Sequence, residues 1–479
     1  MFSQDIYSNR RDALARLLPD SFLLFIGNKV SPMNYHDNTF PFRQDSTFLY
    51  LFGLDVPDMA AIIDTATGVT TIFADDVSMD DIIWTGPMPS VADLASLCGV
   101  VSTRPLDALP NAVSTALRQH RKVHFVNPYR AETIVSLSAL TGIPVDQVCQ
   151  QASVPLMKAL VSLRSSKQQC EIDEMDRHMH FGVAMHLTAM HLAHDGVSEN
   201  QVMAALEHQA LLGGGLVSFP TISTVNGQTL HNHGYSHTLR NGDLLLVDAG
   251  CESPNHYATD NTRTSPVGGR FSARQKEVYQ AVLDANEAVI AQARPGVLYR
   301  DMHFAAARAI VDALKSIGLM SGDTDDAIQQ GAYALFMPHG IGHMLGLDVH
   351  DMENYGEELV GYDDEVQRSS QFGLASLRMA RRLQPGFCVT DEPGIYFIPQ
   401  LIDRWRAEHK CDDFINYARL ESYKDFGGIR IEDDLLITPD GCRIIGQRLP
   451  AAIADVEAEV QKGLHSDAPS DPSSPFVAR

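Results

Sequence analysis

The 479-residue chain contains no C-x-x-C pair, no uninterrupted apolar run of 18 residues and no excess of positive charge. Its seven cysteines, Cys98, Cys149, Cys170, Cys251, Cys388, Cys411 and Cys442, are scattered. An odd, unpatterned set fits free thiols in a reducing compartment and argues against a disulfide framework and against a thiolate zinc site. The missing apolar run argues against a transmembrane helix, and residues 1–20 lack the apolar stretch of a secretory signal, so a soluble, cytoplasmic protein is expected. Lys and Arg number 37 against 60 Asp and Glu, a net charge of −23 that repels phosphate backbones and anionic lipid. Neither a nucleic-acid nor a membrane partner is expected.

With 44% hydrophobic and 20% charged residues, the composition is that of globular domains, and the length allows more than one core. In the first third, SFLLFIG (21–27), STFLYLFG (46–53), AAIID (60–64) and VTTIFAD (69–75) are short β-branched or aromatic runs bounded by Gly, Pro and Asp, and read as strands. VADLASLCG and LPNAVSTALRQH carry helical spacing, so this part predicts an α/β domain. From Lys167, KQQCEIDEMDRHMHFGVAMHLTAMHLAHDG predicts one long helix ended by Gly196. Strands at GDLLLVDAG and TRTSPVGG, helices over 272–318 and further strands follow, an α+β order. The chain is thus divided into residues 1–155, 156–460 and a Ser-, Pro- and Asp-rich tail, 461–479, expected to be disordered.

Carboxylates recur where apolar strands end. Asp248 closes GDLLLVDAG, and Asp260, twelve residues on, opens a second strand beyond a hairpin loop, ESPNHY, so that the two acids face each other across neighbouring strands. A pair of turn aspartates is the ordinary alternative. PHGIGHMLGLDVHD supplies His339, His343 and His350, with glycines that argue against a regular helix. Glu392 precedes Pro393-Gly394 in FCVTDEPGIYFI, and Glu432 shares a strand face with Arg430 in GGIRIEDDLLI. Hard oxygen ligands with one imidazole suit two divalent ions: Mn²⁺ foremost, with Co²⁺ or Zn²⁺ compatible. The five histidines of the long helix, His178, His180, His186, His191 and His194, are expected on a solvated face, and His233 and His237 in surface loops.

The run LLLVDAG…TDNTRT…HGIGHMLGLDVHD…EPGIY…GGIRIEDD resembles the pita-bread (creatinase/aminopeptidase-like) metallopeptidases, and within them the aminopeptidase P and prolidase branch that acts on Xaa-Pro bonds. Five separated motifs stand in the family's order over most of residues 165–445, and FPFRQDSTFLYLFGL and DDIIWTG resemble that branch's N-terminal domain. The short methionine aminopeptidases lack such a domain. The resemblance implies Asp248, Asp260, His343, Glu392 and Glu432 as ligands of two metals, with a water between the ions as nucleophile and Glu392 as proton shuttle. It implies His231 and His350 as substrate-facing donors, His339 and Tyr396 as groups lining the site, and Arg430 as a guanidinium steadying the carboxylates. The aspartate spacing is one residue longer than the family's usual one, and Pro254 and Asn255 place the extra residue in the loop, where no side chain changes face.

The activity implied is removal of an N-terminal residue from peptides with proline second, an Xaa-Pro aminopeptidase, with Xaa-Pro dipeptidase as the alternative. Arg378, fourteen residues before Glu392, stands where prolidases have an arginine for a dipeptide's free carboxylate, although Arg378, Arg381 and Arg382 also read as a basic surface run. The segment between Tyr396 and Gly427 looks prolidase-like, whereas DMENYGEELVGY resembles bacterial aminopeptidases P. Two rivals are a metal-free pita-bread peptide-binding module and a creatinase-like hydrolase; both lose the ligands retained here. The resemblance also implies self-association as a homodimer or homotetramer.

Overall fold

A computed structural model describes residues 1–465, in two compact units. The first comprises Met1–Ser165 with Met352–Val360, and the second Ser166–Asp351 with the chain from Gly361 onward. The expected division after residue 155 falls instead inside the helix Val154–Ser165, which belongs wholly to the first unit and whose Leu163 carbonyl accepts from Tyr50 Oη. At the other end, the helix Ile453–His465 takes in the first residues assigned to the tail, and 466–479 lie outside the described residues.

The first unit is built on a five-stranded sheet, in the order Ser102–Arg104, Val69–Phe73, Ala60–Asp64, Phe22–Ile26, Val123–His124. Its central pairings are antiparallel and its two outer ones parallel. Phe22, Leu24, Ile62 and Phe73 meet Val113 and Leu137 of flanking helices in one core. STFLYLFG departs from expectation: Ser46–Phe52 is a helix. Asp45 caps it by accepting from Phe48 N–H, and Gly53 ends it at φ +65. All seven residues are buried, so no polar face breaks the apolar run, and a fully buried helix then reads like a buried strand.

The second unit opens with the helices Gln169–His191 and Glu199–Leu212. The first ends five residues before Gly196, which instead turns the chain at φ +87. A three-stranded antiparallel sheet follows, Asn261–Pro266, Leu244–Ala249, Ile222–Thr224, then the helices Ala273–Gln292 and Tyr299–Ser316. Cys388–Asp391, Asp433–Ile437 and Cys442–Ile444 form a second sheet, and Gly394–Tyr396 pairs with Gly428–Arg430. Bridges Thr262–Glu432 and Met344–Val389 join these pieces around one centre. Of the long helix's histidines, His178 and His186 are buried rather than solvated, and His186 Nε2 lies 3.1 Å from the Ala249 carbonyl, packing the helix on the strand that carries Asp248. Among the described residues no helix is long and apolar enough to cross a membrane.

Candidate metal centre

The hairpin register decides how the two aspartates meet. Asp248 pairs with Thr262 and Ala249 with Asn261, and the ladder continues unbroken through Thr259 N–H to Cys251 O and Ser253 N–H to Tyr257 O. Three residues, Pro254, Asn255 and His256, make the loop, with His256 in the left-handed region at φ +65, as a three-residue hairpin requires. By this register Asp260 stands across from Gly250, not Asp248. The two acids are therefore diagonal neighbours on one sheet face, and Thr262 is the residue directly opposite Asp248.

Asp260, His343 and Glu432 bring one potential ligand atom each within 4.8 Å of one another. His343 Nε2 lies 3.3 Å from Asp260 Oδ2 and 3.7 Å from Glu392 Oε1. Its Nδ1–H donates to the Met344 carbonyl at 3.0 Å, which leaves the Nε2 lone pair facing the acids. Gly342 permits this approach: at φ +153, a Cβ there would stand 2.6 Å from the Thr390 carbonyl. Thr390 Oγ1 accepts from His343 N–H and contacts Glu392, joining the histidine segment to the strand before Glu392.

Burial pushes the Asp260 carboxyl well above its ordinary range, and Asp248, Asp434 and Glu392 push it further. Glu432 is raised likewise, by burial first and then by Asp260, Glu392 and Asp248. Arg430 alone opposes these repulsions among the leading causes, donating from Nη2 to Asp248 Oδ2 at 2.6 Å. Asp248 Oδ1 is buried with no hydrogen-bond partner. Crowded acids, an orphaned carboxylate oxygen and a free imidazole lone pair fit divalent cations, which would cancel the repulsion and fill the vacant acceptor positions.

A polar frame surrounds the acids. Arg430 Nη1 donates to Tyr396 Oη at 3.0 Å, and Tyr396 Oη lies 3.0 Å from His339 Nε2. His339 Nδ1–H donates to the Gly340 carbonyl, so Nε2 accepts from the phenol. Burial, then Arg430, lowers the His339 pKa to about 4, and burial pushes the Tyr396 phenol up to about 12, so both are neutral at pH 7. The His350 ring lies 3.9 Å from that of His343. His231 is exposed, and its pKa is lowered by desolvation and by Arg430, with Asp248 and Glu392 pulling the other way. His233 and His237 are exposed. Arg378 is half-buried; Arg381 covers the Phe387 ring and Arg382 pairs with Glu365, so the three arginines form no single surface run.

Three contributors escaped the sequence reading. Thr262 Oγ1 donates to Glu432 Oε2 at 2.7 Å and accepts from Arg430 Nε at 3.0 Å. Asp434 Oδ2 accepts from Asp260 N–H at 3.0 Å, and Asp433 pairs with the buried Arg263. Thr262 carried a legible signal, lying two residues from Asp260 on the same strand face.

Residues 173–439 match Metallopeptidase family M24, more than half of the chain, and residues 7–125 match Aminopeptidase P, N-terminal domain. The chain is 32% identical over 462 residues to the Xaa-Pro dipeptidase of Homo sapiens, covering 91% of this chain and 88% of that one. The structure of Pseudomonas aeruginosa aminopeptidase PepP aligns with a TM-score of 0.79 at 27% identity, over 97% of this chain and 99% of the other. Zn-substituted E. coli aminopeptidase P in complex with product aligns at 0.78 and 26% identity, over 96% and 99%. With a ligand set of metal-binding type at the meeting of its hairpin, histidine segment and glutamate strands, the chain belongs to metallopeptidase family M24, a pita-bread catalytic domain preceded by an aminopeptidase P-type N-terminal domain.

Proposed function

We propose that the protein is an Xaa-Pro aminopeptidase, hydrolysing the bond between an N-terminal residue and proline. The observation that carries this reading is the buried Asp260–His343–Glu432 cluster, with Asp248 and Glu392 beside it, in a chain similar along its length to Xaa-Pro peptidases. Asp248, Asp260, His343, Glu392 and Glu432 would hold two divalent ions, Mn²⁺ by preference. Bound there, the ions would polarise the scissile carbonyl and activate the attacking water.

The chain's own residues supply the rest. Glu392, with 21% of its side chain exposed, can take the water's proton and pass it to the departing proline nitrogen, a secondary amine that must be protonated to leave. His231 and His350 would donate hydrogen bonds to the carbonyl as negative charge develops on it. Arg430 fixes the orientation of the Asp248 carboxyl, and Tyr396 and His339 hold Arg430 in place. Proline fixes φ and removes the N–H that an ordinary residue would bring, so a shaped pocket can select it.

The dipeptidase reading is favoured by the similarity to the human Xaa-Pro dipeptidase and by Arg378, a guanidinium suited to a free carboxylate. Product analysis on Gly-Pro and Arg-Pro-Pro with added Mn²⁺ separates the two. Release of arginine from Arg-Pro-Pro is expected; cleavage of Gly-Pro alone, abolished by Arg378→Ala, would establish the dipeptidase. Seven scattered cysteines with no C-x-x-C pair support a cytoplasmic setting, and the family resemblance supports a homodimer or homotetramer.

A further inference from the structure

The stretch from His343 to Asp351 has no helix or strand, yet it must hold the His350 ring 3.9 Å from that of His343. Beneath it lies an ion pair that the carboxylate site does not use. Lys167 Nζ stands 2.8 Å from Asp351 Oδ2, with both side chains 1% exposed. Asp351 N–H donates to the Met344 carbonyl and Asp348 N–H to Asp351 Oδ1, closing the loop on itself. Ala258 N–H donates to the Gly346 carbonyl, tying the loop to the hairpin that carries Asp260. Gly346 makes room for the pair: a Cβ there would fall 2.5 Å from Asp351 Oδ2 and 2.8 Å from Lys167 Cε. The chain leaves this unit directly after Asp351, through Met352 at φ +66.

Two charges taken out of water contribute little net stability relative to an apolar pair of the same volume, but they fix a geometry closely. We propose that the Lys167–Asp351 ion pair is the positioning device for His350. It pins the backbone one residue beyond that imidazole and so sets where the ring meets the substrate carbonyl. The inference rests on the reading of His350 as a substrate-facing donor.

The test is a mutant cycle on the metal-loaded enzyme with Arg-Pro-Pro, combining His350→Ala with the apolar replacement Lys167→Met plus Asp351→Leu. The replacement is expected to lower kcat by about tenfold or more, with KM and bound metal unchanged. In the His350→Ala background it is expected to change kcat by less than about twofold, because no positioned imidazole remains to be lost. Equal losses in both backgrounds, or no loss in the parent, would overturn the proposal while leaving the role of His350 intact. An unchanged kcat in His350→Ala itself would overturn that role and the proposal with it. If the paired replacement unfolds by circular dichroism, Gly346→Ala takes its place in the same cycle, since it displaces the carboxylate while keeping both charges.

Discussion

Arg430 and Asp248 share a single charge-assisted hydrogen bond, 2.6 Å from Nη2 to Oδ2, while the other oxygen of the same carboxylate is buried without a partner. The guanidinium reaches Asp248 from the neighbouring strand pair and is itself held by Thr262 and Tyr396. One side of Asp248 is thereby orientated, and the other oxygen meets no hydrogen-bond donor.

Arg430→Lys keeps the charge but cannot serve Asp248, Tyr396 and Thr262 together. Metal affinity is expected to fall by roughly 10- to 100-fold, as for other groups that orient metal ligands. Isothermal titration with Mn²⁺ of the apo variant checks this; an affinity equal to that of the parent would show that Asp248 needs no such support.

Removing the metal is expected to destabilise the fold, because Asp260, Glu432 and their neighbours then face one another uncompensated. Chelation should lower Tm and abolish hydrolysis, and added Mn²⁺ or Co²⁺ should restore both. Glu432→Gln removes one of the repelling charges. Its metal-free form should melt higher than the metal-free parent, with no further rise on adding Mn²⁺. Full activity at near-zero metal content would sink the dinuclear mechanism.

His231→Ala should keep its metal and its Tm, since the imidazole is exposed and outside the ligand cluster. Its kcat should fall by roughly 10²-fold, the usual effect of deleting a positioned donor to a developing oxyanion. Metal analysis alongside turnover checks the assignment; loss of metal would make His231 a ligand instead.

His303 is buried between helices with Nε2 2.9 Å from Tyr333 Oη, and burial lowers its pKa to about 3. The unfolded chain binds this proton more readily than the folded one, so stability is present above pH 6.5 and declines as pH falls from there toward 3. The full loss from this group is roughly 5 kcal/mol. His303→Phe should flatten the fall in urea-unfolding free energy between pH 7 and pH 4.5. A slope identical to that of the parent would show that His303 titrates normally.

The helices were legible because their periodicity reports burial on one face, and the strands, buried along almost their whole length, because they are short apolar runs bounded by Gly, Pro and Asp. Phe22–Ile26, Ala60–Asp64, Leu244–Ala249 and Ala273–Gln292 fall close to where the pattern puts them. Ser46–Phe52 was not legible, since burial on every side erases periodicity. His178 and His186 were misread for a related reason: histidine is polar in composition but pairs readily in a core, and only the packing of Gln169–His191 on the hairpin shows which rings are enclosed.

The sequence by itself determined the chemistry available: five ligand-type residues in a fixed order, glycines around His343, an acidic and thiol-bearing chain with no uninterrupted apolar run of 18 residues. These are properties of residue identity and local spacing. Tertiary structure decided which of them meet. That Asp260 lies diagonal to Asp248, that Thr262 bridges Arg430 and Glu432, and that Lys167 closes on Asp351 across 184 residues depend on register and on long-range packing. Such contacts leave no periodic trace in the chain, because each joins segments whose spacing in sequence places no limit on their distance in space.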